Sequence, residues 1–428
     1  MIDAFALTFS SPFCRSNFFM SLKQANKLGI KGNIAWNTMG SVFYQGCLWL
    51  MTVLVVRLSN DYQNSGCLAF AMSVGNIYTA LGTYTVRTFQ VADVDNTYSA
   101  SNYVGFRLIT VLGALAICGT YGLAISPSIA TLHAVLSFLV FKADEAFVNV
   151  LYGCDQKSMR LDYVGQSQII RGLLVVSLFT LGMQLTHNLV FSIALLTCGC
   201  FFVTLFFDVR KTSCLADSLI PRIDKAGATR LFRTLLPTVI GNVVAGLVTS
   251  LARQYFGIAY GEEALGIYAS VATPCVIIQV LAQNLYTPML GPIAKLKSTG
   301  DEGGARRKSI QLLVAVIGIA LLLSAPLIAF SKPILGSLYG ETILPYVGVL
   351  PPALLVTTGI ASLFVITDLL IVYGKLRQTL TINLVALAAM AITLVPFISR
   401  WYMNGLNMSL IIAYSAASIY GLATLFRN

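Results

Sequence analysis

Charge is scarce in this chain. Asp, Glu, Lys and Arg together make up 11% of its 428 residues, and only 17 of them are acidic. Histidine is scarcer still: His133 and His187 are the two present, far apart in sequence and each near one end of an apolar segment. No zinc-ligand spacing and no nucleophile, base and orienter set can be assembled from them. Long polar stretches are also missing, so nothing outside the apolar segments has room for a catalytic domain with a paired acid and base. The adjacent carboxylates of Asp144 and Glu145 do not supply such a pair. On one helix they point about 100° apart and cannot flank a glycosidic bond together. No cofactor and no metal is expected, and transport is left as the default activity.

What fills the chain is apolar sequence. A bilayer core needs roughly 20 mostly apolar residues per spanning helix, and about twelve such stretches run through 33–57, 66–86, 103–125, 128–152, 163–184, 188–207, 231–254, 263–289, 309–330, 345–373, 378–399 and 406–427. Lys and Arg sit mostly in every second connection. One set is Arg15, Lys23, Lys27 and Lys31, Arg87 and Arg107, Lys157 and Arg160, Arg210 to Arg233, Lys295 to Lys308, Lys375 and Arg377, and Arg427. The opposite connections hold only Arg57, Arg253, Lys332 and Arg400. Positive loops face the cytoplasm, which predicts a multi-pass membrane protein with both termini cytoplasmic. The net charge of +11 is spread over many short loops and lacks the clustered basic domain of a nucleic-acid binder. Anionic membrane lipids are the expected partners of those loops.

Nine cysteines are scattered through apolar segments and loops on the cytoplasmic side, where disulfides are not expected. Cys198 and Cys200 point to different faces of one helix, and small apolar fillers are the reading for the set. Residues 1–19 are mildly apolar without a signal-peptide cleavage site, and either Met1 or Met20 serves as the start.

The longest connection, 208–230, divides the chain in two. The expected organisation is a cytoplasmic tail (1–32), a six-helix bundle (33–207), an amphipathic cytoplasmic linker (208–230) and a second six-helix bundle (231–428). An even number of crossings gives the two halves the same orientation, a parallel repeat. At an offset of 200, Gly66, Ala69 and Leu81 coincide with Gly266, Ala269 and Leu281.

Helical spacing puts Asn33, Asn37, Gly40, Ser41 and Tyr44 on one side of the first segment. It puts Asn76, Thr79, Thr83 and Arg87 on one side of the second, Asn242, Gly246, Thr249 and Arg253 on the seventh, and Tyr268, Gln279, Gln283 and Tyr286 on the eighth. Polar groups facing hydrocarbon are costly, so four such stripes predict a water-accessible cavity. Hydrogen bonding from helix to helix is the alternative for any one of them. Charges within segments are functional candidates by default. Lys142 and Arg171 lie at similar depth and either form one cationic site or pair with Asp144, Glu145 or Asp162. Asp144, Glu145 and Asp368 are the candidates for ion coupling, with Asp368 also readable as a solvated acid at a helix end.

Two stretches carry a family resemblance. One runs from Tyr84 through Arg87, Gln90, Asp93 and Tyr98 to Tyr103, Arg107 and Thr110. The other runs from Lys142, Asp144 and Glu145 through Gly153, Gln156, Arg160, Leu161 and Asp162 to Arg171. Together with Leu236-Pro237 and the region from Gly266 to Tyr268, they resemble the O-antigen and capsule repeat-unit flippases, the polysaccharide-exporter branch of the multidrug/oligosaccharidyl-lipid/polysaccharide flippase superfamily.

The resemblance implies an all-α polytopic membrane protein of twelve transmembrane helices, in two six-helix bundles arranged as a V around a central cavity. It implies that the cavity, lined by the first two helices of each half, takes a polyprenyl-pyrophosphate-linked glycan. The polymerase and glycosyltransferases of the same pathway would be partners. Pyrophosphate needs Lys or Arg, and a glycan needs amides, hydroxyls and aromatic faces. The expected substrate residues are Asn37, Tyr44, Asn76, Thr83, Arg87, Lys142, Arg171, Asn242, Arg253, Gln279 and Gln283. Competing readings are export of a peptidoglycan lipid precursor, export of a cationic drug, and a membrane enzyme acting on lipid-linked sugars. Basic Arg87 and Arg253 on the stripes speak against the drug, and the lack of a large outer loop against the enzyme.

Overall fold

The computed structural model describes residues 29–59 and 61–426, and the described residues are helices joined by short turns. In chain order these are α1 (Ile30–Arg57), α2 (Gln63–Thr83), α3 (Val86–Ala92), α4 (Ala100–Ile125), α5 (Ile129–Lys157), α6 (Leu161–Thr186) and α7 (Leu189–Val203). The last continues through a π-helical turn, Thr204–Val209, into Arg210–Ser213. Then come α8 (Lys225–Tyr260), α9 (Glu262–Ala272), α10 (Cys275–Tyr286), α11 (Leu290–Ser298), α12 (Glu302–Ala329) and α13 (Ser331–Tyr339). A 3-10 stretch, Glu341–Val349, leads into α14 (Leu350–Val372), and α15 covers Leu376–Leu425. The N-terminal tail, the start at Met1 or Met20, and Arg427 lie outside the described residues.

Every predicted apolar segment falls on helix. Eight helices among the described residues are long and apolar enough to cross a bilayer, or nine if α9 and the bent stretch after it are one crossing. Three differences from the expected count have plain causes. Helix α2 carries Gln63, Asn64, Ser65, Ser73 and Asn76, and α5 carries Lys142, Asp144, Glu145 and Asp155 along its length. Polar content keeps both below the hydropathy of a membrane crossing. Helix α15 is two helices in one, broken at Tyr402, whose φ of 53° and ψ of −125° are not helical. Outward surfaces are apolar: Leu112 is 64% exposed and Ile392 75%. Such side chains are stable in hydrocarbon and not in water, and the chain is a multi-pass membrane protein.

Helix starts follow local chemistry. Ser99 caps α4 in a reciprocal capping box with Asn102, while Ser128 caps α5, Asn188 caps α7 and Asp301 caps α12. Each cap satisfies an amide that the first helical turn leaves without a partner.

The helices form two compact units. The first takes the described residues up to Ser59 together with Val74–Val239, and the second takes 61–73 and 240–426. The division falls inside α2 and inside α8, and the segment expected as a linker, 208–230, lies within the first unit. That segment is shorter than expected and pinned. Helix runs on to Ser213 and resumes at Lys225. In the turn between, the Arg222 amide donates to the Ser101 carbonyl at 3.2 Å, the Asn102 side chain donates to the Arg222 carbonyl at 2.7 Å, and the Ser101 hydroxyl donates to the Ser218 carbonyl at 2.9 Å. The connection is therefore part of the first unit's surface.

Within the first unit α1 lies against α6 at Gly40 and Gly165, where a Cβ on Gly40 would sit 2.5 Å from the Gly165 backbone. Within the second, α2 crosses α9 at Gly66 and Gly266. A Cβ on Gly266 would meet the Tyr62 carbonyl at 2.1 Å. The two glycines that coincide at an offset of 200 are thus the two sides of one helix crossing.

Candidate functional site

The middle of α5 presents Lys142, Asp144 and Glu145 over a single turn, and three other helices of the first unit bring partners to them. From α6 comes Arg171, whose guanidinium donates to Asp144 at 2.7 Å. Helix α7 contributes its π turn. Thr204 and Asp208 are four residues apart there and face the same way, so that Arg171 also donates to the Thr204 hydroxyl and pairs with Asp208 at 3.4 Å. Thr204 in turn donates to the other oxygen of Asp144 at 2.6 Å. From α1 comes Tyr44, donating its hydroxyl to Glu145, whose second oxygen pairs with Lys142 at 2.6 Å. Arg171, Asp144 and Asp208 are each at most 3% exposed in their side chains. Lys142 and Glu145, at 16% and 20%, open toward the outside of the cluster.

The charges do not cancel. Two cations face three carboxylates, and one negative charge is left over when all are ionised. A π turn is a known device for re-aiming side chains at functional sites, and here it allows Asp208 to reach Arg171. Burying ionised groups in this way costs several kcal/mol per ion unless they are paired and hydrogen bonded.

The polar network continues along α5 towards α3. Tyr152 shares a hydrogen bond with Ser167 at 2.7 Å, Asp155 accepts from Thr212 at 2.9 Å, and Arg87 holds the Gln156 carbonyl at 2.9 and 3.1 Å. Gln90 donates to the Cys154 sulfur at 3.0 Å. In the turn after α3, Asp93 accepts from the Tyr103 hydroxyl at 2.7 Å and from the amides of Thr97 and Tyr98 at 2.9 and 3.1 Å. Burial pushes this carboxyl up, but the three donors outweigh it and hold it down at about 2. Arg107, fully buried in α4, donates to the Gly82 carbonyl at 2.6 Å and to Asn149 at 3.3 Å.

Residues of both resemblance stretches therefore make polar contacts within the first unit. Their residues brace helices of the first unit against each other. Of the two readings for Lys142 and Arg171, the structure has the ion-pair one: Lys142 pairs with Glu145 and Arg171 with Asp144 and Asp208, while Asp162 pairs with Arg160 at 2.9 Å. Arg87 is not on the α2 stripe. Left-handed backbone at Tyr84 and Thr85, with φ of 45° and 55°, ends α2 and starts a new helix, so the spacing of four from Thr83 to Arg87 has no meaning on one cylinder. The α1 stripe faces its own unit: Asn33 accepts from the Leu161 amide at 2.9 Å, Gly40 touches α6, and Tyr44 holds Glu145.

The remaining stripe residues are less enclosed. Asn76 is exposed and Asn37 and Thr83 are half-buried in the first unit. In the second, Asn242 and Gln283 are exposed, and Arg253 and Gln279 are half-buried. Asp368 is half-buried and accepts from the Tyr286 hydroxyl at 2.9 Å. Asp208 and Thr204 escaped the sequence reading. Asp208 sits where the apolar segment gives way to Arg210 and Lys211, and it reads as the first residue of a linker.

The fold has known counterparts. An inward closed lipid II flippase, MurJ, superposes with a TM-score of 0.72 over 91% of this chain and 87% of that one, at 11% identity. An inward-facing multidrug resistance MATE transporter of the MOP superfamily superposes with a TM-score of 0.63 over 95% and 96%, at 12% identity. The chain has the fold of the MOP-superfamily transporters. In sequence this MOP-fold chain is similar to the capsular polysaccharide biosynthesis protein CapF of Staphylococcus aureus, 21% identical over 385 residues that make up 87% of this chain and 93% of CapF. No family model matches the chain.

Proposed function

We propose that this chain is a flippase. It carries a polyprenyl-pyrophosphate-linked oligosaccharide repeat unit across the bacterial cytoplasmic membrane by alternating access, for assembly of a surface polysaccharide such as a capsule or O-antigen. The observation that carries the reading is the likeness to a capsule biosynthesis protein over nearly the whole chain, on a fold shared with a lipid II flippase. Twelve apolar segments support twelve crossings, and the charge of the loops supports both termini in the cytoplasm. The prenyl tail stays in lipid and only the headgroup moves. Asn37, Asn76, Thr83, Asn242, Arg253, Gln279 and Gln283 supply amides, hydroxyls and one cation for the glycan and pyrophosphate.

In this reading the charged core of the first unit couples transport to an ion. Asp144 and Glu145 are its coupling candidates, with Asp208 beside them, because three carboxylates share the two cations Lys142 and Arg171. Asp368 with Tyr286 is a second, simpler acid of the same kind.

The test is the lipid-linked oligosaccharide content of cells with and without the gene, resolved by leaflet accessibility. Accumulation of pyrophosphate-linked glycan in the cytoplasmic leaflet with loss of surface polymer is expected. Two other cargoes have a specific observation behind them: a peptidoglycan lipid precursor, from the lipid II flippase fold, and a cationic drug, from the MATE fold. Lethal loss of cell-wall synthesis would favour the first. Unchanged lipid intermediates with altered efflux of small cations would favour the second.

A further inference from the structure

The start of α8 carries a second concentration of charge that the core does not use. Lys225, Thr229 and Arg233 follow one another at intervals of four, and Ala226, Arg230 and Thr234 form the adjacent row. Together these six residues line an open cavity of about 490 Å³. All six are exposed, whereas the opposite face of the same turns buries Leu231, Leu235 and Val239 in the first unit. Tyr84 fixes the helix here, stacking on Phe232 at 4.8 Å and donating to its carbonyl at 3.3 Å. The basic face is thus presented on an anchored helix.

Two observations give this face a ligand chemistry. First, its three cations are uncommitted: among the described residues no carboxylate lies within ion-pair distance of Lys225, Arg230 or Arg233. The nearest acid in sequence, Asp224, is engaged with the Gly227 amide at 3.2 Å. Elsewhere in this unit Lys142, Arg160 and Arg171 have carboxylate partners, and Arg87 and Arg107 hold the oxygens of Gln156, Gly82 and Asn149. Second, the same helix turns apolar while still exposed, at Leu236 and Ile240. A molecule with an anionic head and a hydrocarbon tail matches this order, head on the Lys and Arg turns and tail along the next two. Three cations within about 12 Å of helix rise suit a diphosphate better than a headgroup with a single charge.

We infer that the start of α8 is a landing site for the pyrophosphate of a prenyl-linked lipid, distinct from the charged core. Arg230 and Arg233 grip the phosphoryl oxygens, Lys225 adds charge, and Thr229 and Thr234 donate hydroxyls. The inference rests on the flippase reading and adds to it the place where cargo is first captured.

The test uses full-length protein in nanodiscs and a photoreactive farnesyl pyrophosphate, with crosslinked peptides mapped by mass spectrometry. The expected result is a crosslink within 225–240, competed by farnesyl pyrophosphate and not by phosphatidylglycerol. In Lys225→Gln/Arg230→Gln/Arg233→Gln its yield falls about tenfold or more, the loss expected for breaking charge-assisted contacts. Arg230→Lys/Arg233→Lys retains most of it. Specific crosslinks that map elsewhere and persist in the triple variant would overturn the landing site and leave the flippase reading standing. Equal competition by phosphatidylglycerol would make the patch a contact for bulk lipid and also overturn the inference. Absence of any competed crosslink on the whole protein would instead sink the flippase reading, and the landing site with it.

Discussion

The two units bury polar groups of different kinds. Among the described residues, every buried charged side chain is in the first unit: Arg107, Asp144, Asp155, Asp162, Arg171 and Asp208. The second unit buries only neutral ones, among them Ser250, Gln254, Ser270, Asn383 and Asn407. Arg253 and Asp368 of this unit are half-buried. Hydrogen bonds between neutral amides and hydroxyls join helices in a membrane modestly, each contributing about 0.6 kcal/mol of stabilisation on average. Buried ions are expensive and persist where they act. The comparison marks the first unit as the one that buries ionised groups and the second as the one held by neutral hydrogen bonds.

Four substitutions break or sharpen that contrast, the largest effect first. Arg171→Ala leaves Asp144 and Asp208 facing one another without a cation, a loss of about 3–5 kcal/mol by analogy with other broken buried pairs. A steep fall in thermal stability in detergent is expected, and export is lost while the protein still inserts. In the second unit, Gly266→Ala forces the α2 and α9 backbones apart, because a Cβ there meets the Tyr62 carbonyl at 2.1 Å. About 1–3 kcal/mol is expected from overpacking, read as a lowered melting temperature.

Asn407→Ala removes the acceptor of the Tyr268 hydroxyl and the donor to the Val349 carbonyl, at about 1–3 kcal/mol for buried groups left unsatisfied. Asp208→Asn sharpens the contrast by separating function from stability. It balances the core at two cations and two carboxylates, so stability is kept while the dependence of export on a pH gradient disappears. Gradient-dependent export at the level of the parent protein would take Asp208 out of the coupling.

A smaller effect concerns Asp93, outside the membrane segments. Its carboxyl lies at about 2, below the usual 3.8, because Tyr103 and two amides donate to the charged form. The stabilisation is present above the unfolded value and lost as pH falls through about 2. Asp93→Asn removes that acid dependence and costs about 1 kcal/mol near neutrality, measurable by acid titration of helix content.

Much of the fold was legible because it rests on long apolar runs, which depend on composition and not on detail. The helix break at Tyr84 and Thr85 was not, since neither residue is a usual carrier of positive φ, and Arg87 was misplaced with it. Lys142, Asp144, Glu145 and Arg171 stood out as ions in apolar sequence. Asp208 did not, because a helix that runs on past its apolar segment cannot be told from a linker by hydropathy. The direction in which a polar stripe faces was equally hidden: Asn33 and Tyr44 turn inward onto α6 and α5, and periodicity alone fixes a face without saying what it meets. Gly66 and Gly266 coincided in the alignment of the halves, but only the structure revealed that they touch.

The most direct measurement is transbilayer movement of a prenyl-pyrophosphate-linked oligosaccharide in proteoliposomes of the purified protein, followed by access of a lectin or glycosidase to the outer leaflet. Faster movement than in empty liposomes, abolished by Arg171→Ala, is the predicted result. Movement no faster than in empty liposomes, together with uptake of a small organic cation by the same vesicles, would contradict it.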